Sequence, residues 1–211
     1  MGLNNAILSA HTTKHSFGRK ESSRHSVFEK GNEKTEPEFI NLTSENLAEE
    51  HLCCIIRTKK PHPGVETKRK SLSYRLEEGH VFRKLNRKNC VFIEYAPLET
   101  AWVPIVGENY LYIYCLWVQD GANGKGYGRK LMEYCLRQAK KEGKSGVCML
   151  GTKKQKARLS DQSFAKKFGF CAVDTTPDGY ELLSLSFDGS LPAFTPRQKT
   201  KHRRSRANDF L

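Results

Sequence analysis

Between residues 118 and 130 the chain reads Val118-Gln119-Asp120-Gly121-Ala122-Asn123-Gly124-Lys125-Gly126-Tyr127-Gly128-Arg129-Lys130. Before it, Leu111 to Val118 is apolar on both alternating faces, which predicts a strand covered from both sides at the centre of a sheet. After it, Met132, Leu136 and Ala139 share one face of a helix that Lys140 and Lys141 suit at its negative end and Gly143 stops. A helix start leaves about four backbone N–H groups unpaired and carries a partial positive charge. Glycines just ahead of it let a phosphate approach those donors without a Cβ in the way. Gly124, Gly126 and Gly128 alternate here, flanked by Lys125 and Arg129, so the turn reads as a diphosphate cradle. The spacing excludes two nucleotide loops: no GxxxxGK with a following Ser or Thr exists, and GxGxG late in the strand order is not the GxGxxG of a first βαβ unit.

Outward from that turn the pattern predicts one mixed α/β domain. On the N-terminal side come a strand at Phe39 to Leu42, a short helix from Ser44 to Leu52, and a helix opened by Pro63-Gly64 and closed by Gly79. Strands near Val81 to Leu85 and Cys90 to Tyr95 follow, joined by a polar turn. On the C-terminal side lie a buried strand at Gly146 to Leu150, a short helix from Ser160 with Phe164 and Phe168 one turn apart, a stop at Gly169, and strands near Cys171 to Asp174 and Tyr180 to Ser186.

The cradle resembles the coenzyme A site of the GCN5-related N-acetyltransferases, the GNAT superfamily, whose (Gln/Arg)-x-x-Gly-x-(Gly/Ala) pattern begins five residues after a strand-ending Val. Val118 and Asn123-Gly124-Lys125-Gly126-Tyr127-Gly128 stand at that distance. Phe164-Ala165-Lys166-Lys167-Phe168-Gly169-Phe170 resembles a second superfamily element, and the resemblance covers about Glu38 to Phe187. Phe39-Ile40-Asn41-Leu42-Thr43, the Tyr110 to Gln119 strand and Gly179-Tyr180-Glu181-Leu182 are similar to the YoaP-like group. Members of that group usually continue into a small C-terminal domain; this chain passes into Pro196 to Leu211, so a chain without that domain is expected.

The resemblance implies a GNAT-like mixed, mostly antiparallel sheet with helices on both faces and the glycine-rich turn between central strand and long helix. It implies an N-acetyltransferase that moves an acetyl group from acetyl-CoA to an amine by direct attack. Backbone near Leu116 and Val118 would pair with the pantetheine arm, and Asn123, Gly124, Lys125, Gly126, Tyr127, Gly128 and Arg129 would hold the diphosphate. A strand amide would stabilise the oxyanion, and a base would take the ammonium proton, often through water. Candidate bases are Glu94, on the strand before the central one, and Tyr114 within it. The sequence departs from the pattern at Asn123, where Gln or Arg is usual, at Ala165, where a Tyr often serves as general acid, and at Arg158, where many members carry Asn. A non-catalytic acyl-CoA-binding or nucleic-acid-associated module is the alternative that Ala165 suggests.

Composition bounds the rest. The 211 residues carry 36 Lys plus Arg against 23 Asp plus Glu, a net of +13, unevenly spread. Arg197 to Leu211 holds six bases and one acid, residues 1–36 six bases and four acids. Residues 1–36 read as a disordered tail, 37–190 as the acetyltransferase domain and 191–211 as a basic tail. That tail is a possible nucleic-acid contact, although no aromatic interleaves it before Phe210. The acceptor is expected to be a small-molecule or peptide amine. The apolar runs are too short to cross a bilayer, and no metal-ligand spacing occurs among the seven cysteines, several of which sit in apolar runs; they read as thiols of a reducing compartment. A cytoplasmic protein without metal is expected. The sequence leaves oligomeric state open.

Overall fold

The computed structural model describes residues 38–52, 63–87, 90–119, 121–153, 159 and 162–196. The N-terminal tail, Cys53, Cys54, Arg158, Ser160 and the basic run from Arg197 lie outside them. The described elements run β1 (Phe39–Asn41), α1 (Pro63–Arg75), β2 (Val81–Leu85), β3 (Val91–Pro97), β4 (Ile105–Val106), β5 (Tyr110–Val118), α2 (Tyr127–Lys141), β6 (Gly146–Thr152), α3 (Gln162–Lys166), β7 (Cys171–Thr175), β8 (Tyr180–Ser186) and β9 (Ala193–Phe194). Seven strands form one sheet in the order β1-β2-β3-β5-β6-β8-β7, with β5 in the middle as its apolar pattern requires. Every neighbour pair is antiparallel except β5 with β6.

Side-chain alternation sends the sheet's residues into two layers. On one face Ile93, Tyr95, Leu111, Ile113 and Val147 pack under the apolar stripe of α2, where Leu131, Met132, Cys135 and Ala139 are buried. On the other, Leu72 of α1 meets Phe82 and Phe92, whose rings stack at 4.9 Å. Lys84, 1% exposed, reaches into this second layer to a 2.7 Å ion pair with Glu50.

One expectation fails locally, and one pair of strands was not foreseen. Ser44 to Leu52 makes turns rather than a helix. Thr43 and Asn46 cap each other through side chains, Thr43 N–H to Asn46 Oδ1 at 2.8 Å and Asn46 N–H to Thr43 Oγ1 at 3.4 Å, the reciprocal pattern of a helix start, but the turns that follow do not propagate into a helix. The short β4–β9 pair, in which Ile105 faces Phe194, has too few residues to leave a periodic trace in the sequence.

The site is positioned by a fault in the sheet. Along β3 and β5, Glu94 faces Cys115 but Tyr95 faces Ile113, so Tyr114 is the extra residue of a bulge. The pleat changes phase there: Tyr110, Tyr112 and Tyr114 pack on one face, and Cys115 and Trp117 continue on that same side, while Leu116 and Val118 turn toward α2. Parallel pairing of β5 with β6 stops at Ile113–Met149. Beyond it β6 continues to Thr152 paired only with β8, and the two strands part. A bulge bends its strand, and this one sits where the separation begins.

Candidate active site

The glycine turn opens at the foot of that separation. Gly124 and Gly126 both take φ +76°, the left-handed conformation glycine permits, and a Cβ built on either would meet no atom within 4 Å. Space in front of the helix mouth is therefore open. The α2 ladder begins with Lys130 N–H donating to Gly126 O at 3.0 Å, which leaves the amides of the preceding turn directed out of the helix. Gly128 has a different task. A Cβ there would touch Phe164 and Val118 at 3.4 Å and Leu116 at 3.7 Å, so its bareness lets α2 start close against β5.

The side chains around the mouth divide. Asn123 and Lys125 are exposed; Tyr127 turns its ring edge-on to Phe39 at 6.1 Å. Arg129 pairs loosely with Glu133 at 3.6 Å and lies over the Phe168 ring at 5.5 Å, which anchors its stem beside the cradle. Bare backbone donors, open space and flanking cations fit a diphosphate. The residues expected for the cradle thus come together with Leu116 and Val118 along one line, from the parted strand to the helix start.

Glu94 and Tyr114 meet on the sheet's other face, in a cavity of about 320 Å³ between α1, β3, β5 and the loop after β3. Glu94 is 9% exposed and doubly held: His80 Nε2 stands 3.0 Å from Oε1 and Lys68 Nζ 2.7 Å from Oε2. Burial alone would raise its carboxyl, but the His80 hydrogen bond and the Lys68 ammonium outweigh it and hold the group below its ordinary 4.5. An ionised carboxylate only accepts, so His80 Nε2 carries the hydrogen of that contact. The His80 ring stacks on Tyr114 at 5.1 Å. Tyr114 Oη accepts from Arg75 Nη2 at 2.8 Å and donates to Ala101 O at 2.7 Å. Burial lifts this phenol above its usual 10.0 despite Arg75, so it is neutral at physiological pH.

Lys68, Arg75, His80 and Trp102 complete the cavity and were not singled out by sequence reasoning. Lys68 and Arg75 stand seven apart, two turns along one side of α1, which was a usable signal; His80 had none. Trp102 takes φ +53° at the rim and is 81% exposed, with the Arg75 guanidinium 4.5 Å from its ring centroid. A left-handed backbone costs a bulky residue roughly 1–2 kcal/mol, so the loop holds this indole outward against a local preference.

A model of the Acetyltransferase (GNAT) family matches residues 45–170. The chain belongs to the GNAT acetyltransferases. It is 35% identical over 164 residues to an uncharacterized N-acetyltransferase, YoaP, of Bacillus subtilis (strain 168). That match takes in 77% of this chain and 65% of YoaP, so the chain spans about two thirds of its relative's length. Among solved structures, an N-acetyltransferase from Staphylococcus aureus Mu50 is 14% identical, with a TM-score of 0.50 over 71% of this chain and 98% of its own. A GNAT family acetyltransferase from Brucella melitensis, in complex with acetyl-CoA, is 16% identical over 74% of this chain and 92% of its own, with a TM-score of 0.48. The expected GNAT architecture is present: a mostly antiparallel seven-stranded sheet with helices on both faces and the glycine turn leading from β5 into α2. No helix among the described residues is long and apolar enough to cross a membrane.

Proposed function

We propose that this GNAT protein transfers an acetyl group from acetyl-CoA to an amine within one ternary complex. The observation that carries the reading is the continuity of the parted β5 backbone with the two left-handed glycines and the open amides of α2. Acetyl-CoA supplies the activated acyl group as a thioester. The amides from Gly124 to Arg129 hold its diphosphate, Lys125 and Arg129 add attraction, Asn123 and Tyr127 flank the turn, and the Leu116 to Val118 backbone receives the pantetheine arm as a strand would. A β5 amide near the bulge donates to the carbonyl oxygen as charge develops there.

Glu94 is the better proton acceptor of the two candidates. It is ionised, and its position on the cavity wall suits proton removal from an ammonium through one water. Tyr114, a neutral phenol whose hydrogen already points at Ala101 O, serves by fixing Arg75 and stacking on His80. Ala165 is buried at 1% exposure and has no proton to give, so the leaving thiolate takes its proton from water. The same reading places the protein in a reducing, cytoplasmic setting, consistent with the buried thiols of Cys135 and Cys148 and the exposed thiol of Cys171.

Isothermal calorimetry with acetyl-CoA tests the cradle, and release of free CoA with an amine panel tests the reaction. Binding and turnover are expected, and Gly126→Glu should abolish binding by setting a carboxylate and bulk in the open space. Binding without turnover on any amine would instead make this an acyl-CoA-binding module; no binding would remove the reading altogether.

A further inference from the structure

The Glu94 cavity has an unusual charge balance for a site that receives a cation. Its lining carries Lys68, Arg75 and one carboxylate, Glu94, which is already shared between Lys68 and His80; Arg75 has its own ion pair with Glu78, which is not among the lining residues. A polyamine or other multiply charged acceptor would find no uncommitted acid among the lining residues to receive its further charges. An acceptor bearing its own negative group would instead find a prepared partner. Arg75 is fastened at Nε by Glu78 at 3.2 Å and at Nη2 by Thr100 O at 2.5 Å and Tyr114 Oη at 2.8 Å, while its Nη1 has no partner among the described residues. A guanidinium held this firmly, with one amino group to spare, is organised for a carboxylate before it arrives.

Trp102 supplies the third element. One face of its indole meets Arg75; the ring is otherwise exposed at the cavity rim and held there by a left-handed backbone. Exposed on its remaining surface, it offers a flat apolar area for a flat group. The cavity's 320 Å³ suits a small molecule.

We infer that the acceptor is a small amine that also carries a carboxylate and a flat apolar group, the chemistry of an aromatic α-amino acid. Arg75 Nη1 binds the carboxylate, Trp102 stacks on the side chain, and the amino group lies toward Glu94. The inference rests on the acetyltransferase reading above. In the reaction one proton of the ammonium passes through water to Glu94, the amine N–C bond forms as the thioester C–S bond breaks, and the second proton that the nitrogen loses is carried by water to the leaving thiolate. Glu94 then returns its proton to solvent.

Matched pairs test it on the full chain. With acetyl-CoA, CoA release from L-phenylalanine and L-tryptophan should exceed that from phenethylamine, tryptamine and spermidine by at least about tenfold in kcat/KM, the size of one charge-assisted hydrogen bond. Arg75→Gln should erase the carboxylate preference, and Trp102→Ala should erase the advantage of L-phenylalanine over L-alanine. A second readout needs no turnover. In Trp117→Phe with CoA bound, Trp102 emission should change on adding L-phenylalanine and not on adding phenethylamine. Equal or better use of the decarboxylated amines or of spermidine, or turnover of peptides alone, would overturn the acceptor class and leave the acetyltransferase standing. Failure of acetyl-CoA to bind would bring down both. The wild-type ratios decide the matter even if Arg75→Gln does not fold.

Discussion

Glu94 shows how a carboxylate can be buried, charged and useful at once. Its folded pKa lies below 4.5, so it favours the native state at neutral pH, and that contribution disappears as pH falls through the lowered value. Glu94→Gln should therefore be less stable than wild type at about pH 7 in urea melts, with the two stabilities converging as the pH falls through and below the lowered carboxyl pKa. The same substitution should lower kcat by about 10²-fold or more while leaving acetyl-CoA affinity within about twofold, measured by CoA release and calorimetry. Lys84 gives a purely structural counterpart. Glu50→Ala would leave its ammonium buried without a counter-charge and should cost about 3–5 kcal/mol, whereas Lys84→Met, which removes the charge, should be close to neutral in denaturant titration.

At the scale of elements, the β5–turn–α2 unit was legible and its fault was not. Leu111 to Val118 and the glycine spacing announced a central strand running into a helix, because burial on both faces and left-handed turns restrict residue type. The bulge at Tyr114 was hidden, since an all-apolar strand shows no phase in its alternation and a one-residue slip changes nothing visible. Glu94 and Tyr114 could be named from their places on strands; which groups hold them could not, because Lys68 of α1 and His80, just before β2, reach Glu94, and Arg75 of α1 reaches Tyr114, through tertiary packing alone. The glycines make separable predictions. Gly126→Ala should lose only about 1–2 kcal/mol from its positive φ, because its new methyl enters open space. Gly146→Ala should be far worse, and expression yield with thermal melting would show it: its Cβ would lie 2.5 Å from both Leu185 O and the Tyr110 ring.

For the whole molecule, the centre of the seven-stranded sheet and its two helical layers follow from patterning, while the separate β4–β9 pair depends on a few long-range contacts. Phe194, 4% exposed, packs there with Ile105, and Tyr110 Oη donates to Ser190 O at 2.6 Å from the same segment. Phe194→Ala should cost about 3–5 kcal/mol by chemical denaturation, a core-sized penalty in a stretch that reads as the beginning of a tail.

The parting of β5 from β6 gives the sheet a margin in its interior. Outer margins are open to any passing chain, and proteins guard them with charge, proline or brevity. This one lies between two strands of the same sheet and beside the start of α2, so in the function proposed above its backbone would pair with the coenzyme arm. Backbone thirst for partners, a hazard at most sheet borders, would serve here as a means of holding a cosubstrate.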